Sequence, residues 1–128
     1  MELSKSILDL EREALDNWSS GDPGGYSKHA DNDITYFDDI GAQNRIESLD
    51  ALRTYANGLK EMIPPHKYEM VGSKVQLFGD TAILTYHYHP FTFEGNPLTK
   101  WRASVVYNNS SGEWKMVHAH WTMEKAAG

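Results

Sequence analysis

The chain has 128 residues, 40 % of them apolar, which is the size of a single domain with enough burial for one core and argues against disorder. Eighteen acidic residues against 12 basic ones give a formal charge of −6 with no basic cluster, which argues against nucleic acid and disfavours anionic membrane surfaces as partners. The sequence has no cysteine, which excludes disulfides, thiolate catalysis and cysteine-bound zinc. Without a signal-like apolar region or a run of about 20 apolar residues, the expectation is a cytoplasmic protein.

Leu3, Ile7, Leu10, Ala14 and Trp18 recur at spacings of four and three, and Leu8 and Leu15 widen the stripe. This periodicity predicts an amphipathic helix. Ser19-Ser20-Gly21 ends it, with Gly21 suited to a left-handed C-cap. Asp22 before Pro23 has the order of an N-cap and a first helical residue, so a short second helix is expected to about Ala30, weakened by Gly24-Gly25. Asp33 to Asp38 alternates as a first short strand, and Asp38 to Asn44 is a polar loop. Ser48 caps a third helix with the stripe Leu52, Tyr55, Ala56, Leu59 and Ile63, which Pro64-Pro65 stops.

The rest reads as strands. His66 to Phe78 changes phase at Gly72-Ser73, which predicts a bulge and a bend. Thr81 to His89, Leu98 to Tyr107 and Glu113 to Met123 follow, separated by Gly79-Asp80, Glu94-Gly95-Asn96-Pro97 and Asn108 to Gly112. Helices followed by a meander of long strands give an α+β fold, one domain over residues 1–128, with the helices packed on one face of a curved antiparallel sheet.

Alternation puts Ala82, Leu84, Tyr86 and Tyr88 on one face of the third strand and Thr81, Ile83, Thr85, His87 and His89 on the other. The first, more apolar set is expected on the concave, helix-covered side. Closing the last hairpin symmetrically pairs Val106 with Trp114, Ser104 with Met116 and Arg102 with His118. Arg102, Ser104, Val106, Trp114, Met116, His118 and His120 then share a face that passes from apolar to polar, as a ligand pocket does. Trp101, Ala103, Val105, Tyr107, Val117, Ala119 and Trp121 form the other face, too apolar for water and therefore expected as a homodimer interface.

The stretches Asn17-Trp18-Ser19-Ser20-Gly21-Asp22-Pro23, Ile34-Thr35-Tyr36-Phe37-Asp38, Gly79-Asp80-Thr81-Ala82-Ile83-Leu84 and, most specifically, Gly112-Glu113-Trp114-Lys115-Met116-Val117-His118-Ala119-His120-Trp121-Thr122 resemble the SnoaL-like branch of the nuclear transport factor 2-like (cystatin-like cone) superfamily. The last stretch is also similar to the final strand of the association domain of calcium/calmodulin-dependent protein kinase II. The resemblance implies a conical fold, a pocket between the long helix and the curved sheet, and dimerisation through the outer sheet face. It does not imply a reaction, because that superfamily holds isomerases, dehydratases, cyclases, epoxide hydrolases and assembly modules. Its steroid isomerases carry a pocket tyrosine and a carboxylic-acid pair. Here Tyr36, Tyr86 or Tyr88 could supply the phenol, and Asp38 and Asp39 are the nearest carboxylates.

His118 and His120 point the same way on one strand, so either could act as a general base or both could be hydrogen-bonded structural histidines. A His-x-His pair also has metal-ligand spacing, but no third ligand accompanies it, and the second pair, His87 and His89, is expected to face outward. No metal and no cofactor are therefore expected. Arg102 on a concave face could clamp an anionic or carbonyl oxygen or pair with a helix carboxylate such as Asp16 or Glu13. The resulting expectation is a small-molecule-binding homodimer. Its pocket would be lined by Trp18, Tyr36, Tyr86, Tyr88, Ser104, Trp114 and Met116. If catalytic, it would carry out cofactor-free isomerisation, dehydration or cyclisation by proton transfer through His118, His120 and Arg102. The alternative is a non-catalytic ligand-binding or assembly module.

Overall fold

The computed structural model describes residues 2–124. Helix α1 (Glu2–Ser19) leads into a 3-10 helix (Pro23–Ser27) and strand β1 (Ala30–Phe37). Helix α2 (Leu49–Gly58) precedes strands β2 (Lys67–Phe78), β3 (Thr81–Phe91), β4 (Trp101–Asn108) and β5 (Lys115–Met123). The strands form one sheet in the order β1-β5-β4-β3-β2. No helix among the described residues is long and apolar enough to cross a membrane.

Local chemistry accounts for most boundaries. Gly21 ends α1 at φ +102°, the left-handed region expected of it. Ser48 accepts a hydrogen bond from the Ala51 amide and so caps α2. The bulge at Gly72-Ser73 is present as a register shift between Val71 and Lys74, with Gly72 at φ +65°. Asp22 differs from expectation, because its side chain makes no capping bond and the helix after it is a single 3-10 segment ending at Ser27. Strand β1 accordingly starts earlier than expected, at Ala30.

Gly25 is required there for space, and Gly24 packs against the rotatable tip of Asn57. A Cβ on Gly24 would lie 2.4 Å from Asn57 Oδ1, and one on Gly25 would lie 2.6 Å from Asn17 Cβ. The 3-10 helix is thus wedged between α1 and α2, and Asn17 Nδ2 donates to the Gly25 carbonyl.

Two expectations about the sheet are corrected. The sheet is mixed, because β1 runs parallel to β5, pairing Thr35 with His118, Tyr36 with Ala119 and Phe37 with His120. The last hairpin is also not closed symmetrically. Val106 pairs with His118 and Arg102 with Thr122, and a bulge at Val117 puts Tyr107 opposite Met116.

The faces of β4 and β5 are the reverse of those expected. Ala103, Val105, Tyr107, Ala119 and Trp121 are buried beneath the helices, and Val105 and Tyr107 have no exposed surface. The register explains this: Leu84, already on the inner face, pairs with Val105, and Tyr86 with Ala103. Burial of the aromatic and aliphatic set decides the facing, since these side chains gain most by leaving water. Val105, Tyr107 and Trp121 therefore belong to the core and not to a dimer interface, while Trp101 is half-buried against that core and Val117 sits in the bulge.

A Gly25→Ala variant should lose about 1–3 kcal/mol of stability through overpacking against Asn17, while Gly58→Ala, with no atom within 4 Å of the new methyl, should be neutral or slightly stabilising. Paired urea titrations check both.

Candidate functional site: an aromatic pocket above two carboxyls

Helix α1 carries a carboxyl on its buried face. Glu11 follows Ile7 by one turn and is 0 % exposed. Its Oε2 accepts from Tyr26 at 2.9 Å and Tyr86 at 2.5 Å, and its Oε1 from Tyr107 at 2.7 Å. Burial raises the Glu11 carboxyl above its ordinary value, while the Tyr107, Tyr86 and Tyr26 hydroxyls act in the opposite direction. Burial also pushes the phenols of Tyr26, Tyr86 and Tyr107 well up, so all three keep their protons and act as donors. Tyr26 in turn accepts from Trp121 Nε1 at 3.2 Å.

A second carboxyl ends β1. Asp38 is 3 % exposed, and its Oδ1 accepts from the amides of Ile40, Gly41 and Ala42 at 2.9 to 3.1 Å. Tyr36 donates to Oδ2 at 2.9 Å, and Tyr55 lies 2.8 Å from both oxygens. Asp38 thereby fixes the turn after β1 and joins it to α2.

Between these carboxyls and open to solvent lies a cavity lined by Trp18, Tyr26, Tyr36, Asp38, Ile40, Tyr88, Trp101 and Trp121. The space open to the centre of a water molecule is about 20 Å³, room for about one or two waters, and the free space reaches about 330 Å³ only when the open mouth is counted. Trp121 meets Tyr26, Tyr88 and Trp101 at interplanar angles of 76°, 81° and 73°. The walls therefore form a box of steeply crossed rings and not a parallel slot.

Tyr88 is held from behind by His66, which is 8 % exposed. His66 Nδ1 lies 2.8 Å from the Pro64 carbonyl, an atom that can only accept, so Nδ1 carries the proton. In the neutral imidazole Nε2 is then an acceptor, and the Tyr88 hydroxyl donates to it at 2.6 Å.

Of the residues expected in a pocket, Trp18, Tyr36 and Tyr88 line this cavity. Tyr86 lies beneath it on Glu11, and Met116 is fully buried core. Trp114 is half-buried beside Ser6, Asp9, Leu10, His29 and Glu113, away from the cavity. Arg102, Ser104 and His120 are exposed on the outer sheet face. His118 is on that face too, 2.8 Å from Thr35 Oγ1, and burial followed by the neighbouring His120 holds its imidazole below the usual value. The sequence reading put these four on the concave side because it took polarity as the mark of a pocket, whereas the buried cavity is built from aromatic rings.

Sequence reasoning missed Glu11, His66, Trp101 and Trp121 as contributors. The signal for Glu11 was a lone acid inside an apolar helical stripe. On the outer face His87, His89 and Glu124 bring ligand-type atoms within 4.8 Å of one another, with Glu124 supplying the carboxylate that spacing within β3 did not reveal. Glu124 is hydrogen-bonded to His87, which holds its carboxyl below the usual range.

Glu11 generates a pH prediction. Its folded-state pKa is raised, so the stability linked to its proton is fully present below the ordinary value of 4.5 and is lost as pH rises from there through the folded value. Wild type should therefore lose stability relative to Glu11→Gln over that rise, measured by urea unfolding at stepped pH. Glu11→Leu, which strands three buried hydroxyls, should cost at least about 2 kcal/mol at every pH.

Comparison with known proteins places this architecture. Residues 4–124 match the model of the calcium/calmodulin dependent protein kinase II association domain. A candidate ketosteroid isomerase from Parabacteroides distasonis is similar at 33% identity and a TM-score of 0.78, over 93% of this chain and 86% of that one. A nuclear transport factor 2-like protein of unknown function from Pseudomonas putida shares the fold at 22% identity and a TM-score of 0.83, over 95% and 87% of the two chains. So does the association domain of the kinase from C. elegans, at 23% identity and a TM-score of 0.74, over 94% and 95%. The search of curated proteins finds no match. With its helices on one face of a curved sheet and a family match over nearly its whole length, the chain has the nuclear transport factor 2-like cone fold and belongs to the calcium/calmodulin dependent protein kinase II association domain family.

Proposed function

We propose that this chain is a small-molecule-binding domain whose ligand sits in the aromatic cavity between α1 and the sheet. The observation that carries this reading is the lining itself: six aromatic side chains and the Asp38 carboxylate around a space with a solvent opening. A cavity walled by rings with a few fixed polar groups is the usual build of a ligand site. Arg102, His118 and His120 do not line it, so the ligand contacts in this proposal fall to Trp18, Tyr36, Asp38, Tyr88, Trp101 and Trp121.

A thermal-shift screen with small hydroxy-aromatic, polyketide-like, steroid, terpenoid and ammonium compounds tests this. Binding to the native state raises the melting temperature with ligand concentration. Hits should disappear in Trp101→Ala and persist in His120→Ala, which changes only the outer face. Hits lost in His120→Ala and kept in Trp101→Ala would move the site to the outer face and overturn the proposal.

A second reading, self-assembly, is favoured by the family match over residues 4–124. The sheet surface left for it is the outer one, where Phe37, Ile83 and Val106 are partly exposed. Light scattering should give a mass that is a multiple of 14.5 kDa, reduced to one chain by Val106→Glu. A wild-type monomer at tens of micromolar would end this reading.

A further inference from the structure

The direction of the hydrogen bonds around the cavity narrows its ligand. Three phenols line it, and the proton of each is committed to an acceptor within the protein: Tyr26 to Glu11 and Tyr88 to His66 behind the wall, and Tyr36 to Asp38 in the wall itself. The Trp121 indole proton is likewise spent on Tyr26. The protons of these tyrosines are therefore already spent within the protein and are not offered to a bound group. An enolate or carboxylate seated here would need donors aimed at it, and these four groups offer none.

The charge of the lining agrees. Asp38 is the one carboxylate in the lining, and among the described residues no lysine, arginine or histidine lines the cavity. The second carboxyl, Glu11, lies one phenol behind the wall. Trp18, Trp101, Trp121, Tyr26, Tyr36 and Tyr88 add ring faces whose quadrupoles attract positive charge. Rings crossed at 73° to 81° around Trp121 suit a rounded head group and not a flat ring inserted between parallel walls. The net charge of −6 favours approach of a cation over that of an anion.

We propose that the cavity binds an organic cation, an ammonium or methylated ammonium head group held by the tryptophan and tyrosine rings and by Asp38. The inference deepens the small-molecule reading and rests on it. It reverses the sequence-based expectation of an anionic or carbonyl oxygen clamped by Arg102, because Arg102 lies on the other side of the sheet.

The test uses three probes of similar shape and different charge: tetramethylammonium, neutral tert-butanol and anionic pivalate. Three of the four tryptophans line the cavity, so intrinsic fluorescence reads occupancy directly. Tetramethylammonium should bind about tenfold or more tighter than tert-butanol, and pivalate should not bind. Trp101→Phe should weaken the cation severalfold and Trp101→Leu about tenfold, with tert-butanol little changed. Asp38→Asn should lower cation affinity further. The Trp101 series decides the matter if loss of the Asp38 charge loosens the turn after β1, which circular dichroism would reveal.

Equal binding of cation and neutral probe would overturn the cation assignment and leave the small-molecule reading standing. Preference for pivalate would do the same. Silence toward all three probes, with hits elsewhere in the thermal-shift screen, would also reject the cation alone. Silence in both experiments would reject both readings.

Discussion

The Glu11 carboxyl and its three tyrosine hydroxyls hold this molecule together. A carboxyl with no exposed surface is costly to bury, and the cost is offset only by donors already in place. Those donors come from the 3-10 helix, β3 and β4, so one side chain of α1 fixes the distance of that helix from three other elements. Trp121 extends the connection to β5 through Tyr26. Hydrophobic packing alone would allow α1 to slide, because apolar contact has no preferred direction. The three hydroxyls give it one.

The cavity follows from that arrangement. Because α1 is held by bonds at Glu11, the space toward Trp18 at its end is not closed by collapse onto the sheet, and aromatic rings from α1, the 3-10 helix, β1, β3, β4 and β5 border the gap. Tyr26, Tyr36 and Tyr88 serve the structure with their protons and border the cavity as well. Asp38 repeats the pattern in the cavity wall, where one carboxylate satisfies three loop amides and two phenols. Cavity wall and framework are therefore made from the same residues, which ties the electrostatic character of the cavity to the stability of the fold.

Much of the architecture was readable in the sequence, for identifiable reasons. The Leu3 to Trp18 periodicity, the Ser48 cap and the glycine-marked bulge all act within a few residues of themselves, whereas the helix expected to carry Ile63 and stop at Pro64-Pro65 already ends at Gly58, with turns over residues 59–63. The facing of β3 was readable too, because its two sides differ plainly in polarity. The facing of β4 and β5 was not. Both sides of those strands carry large side chains, and the deciding fact is the pairing of Val105 with Leu84, a contact that local sequence does not encode. The bulge at Val117 then split Met116 from the histidines it seemed to accompany. The site was half legible for the same reason: Trp18, Tyr36 and Tyr88 were found by pattern, whereas Glu11, His66 and Trp121 contribute through partners 15 to 96 residues away.

The parallel pairing of β1 with β5 also has a bearing on how the chain reaches this state. Strand β5 comes last in chain order yet lies second in the sheet, and within the sheet β1 pairs with it alone. The antiparallel run from β2 to β5 joins neighbours in sequence, so each of its pairings closes a short loop. The β1–β5 pairing closes one from Tyr36 to Ala119, at a much larger entropic cost. Until that closure the one strand-type pairing β1 has among the described residues is the bridge between Tyr36 and Ile46. The sheet edge that β1 will occupy stays open meanwhile, and an open edge is where two unfinished copies of such a chain would join first.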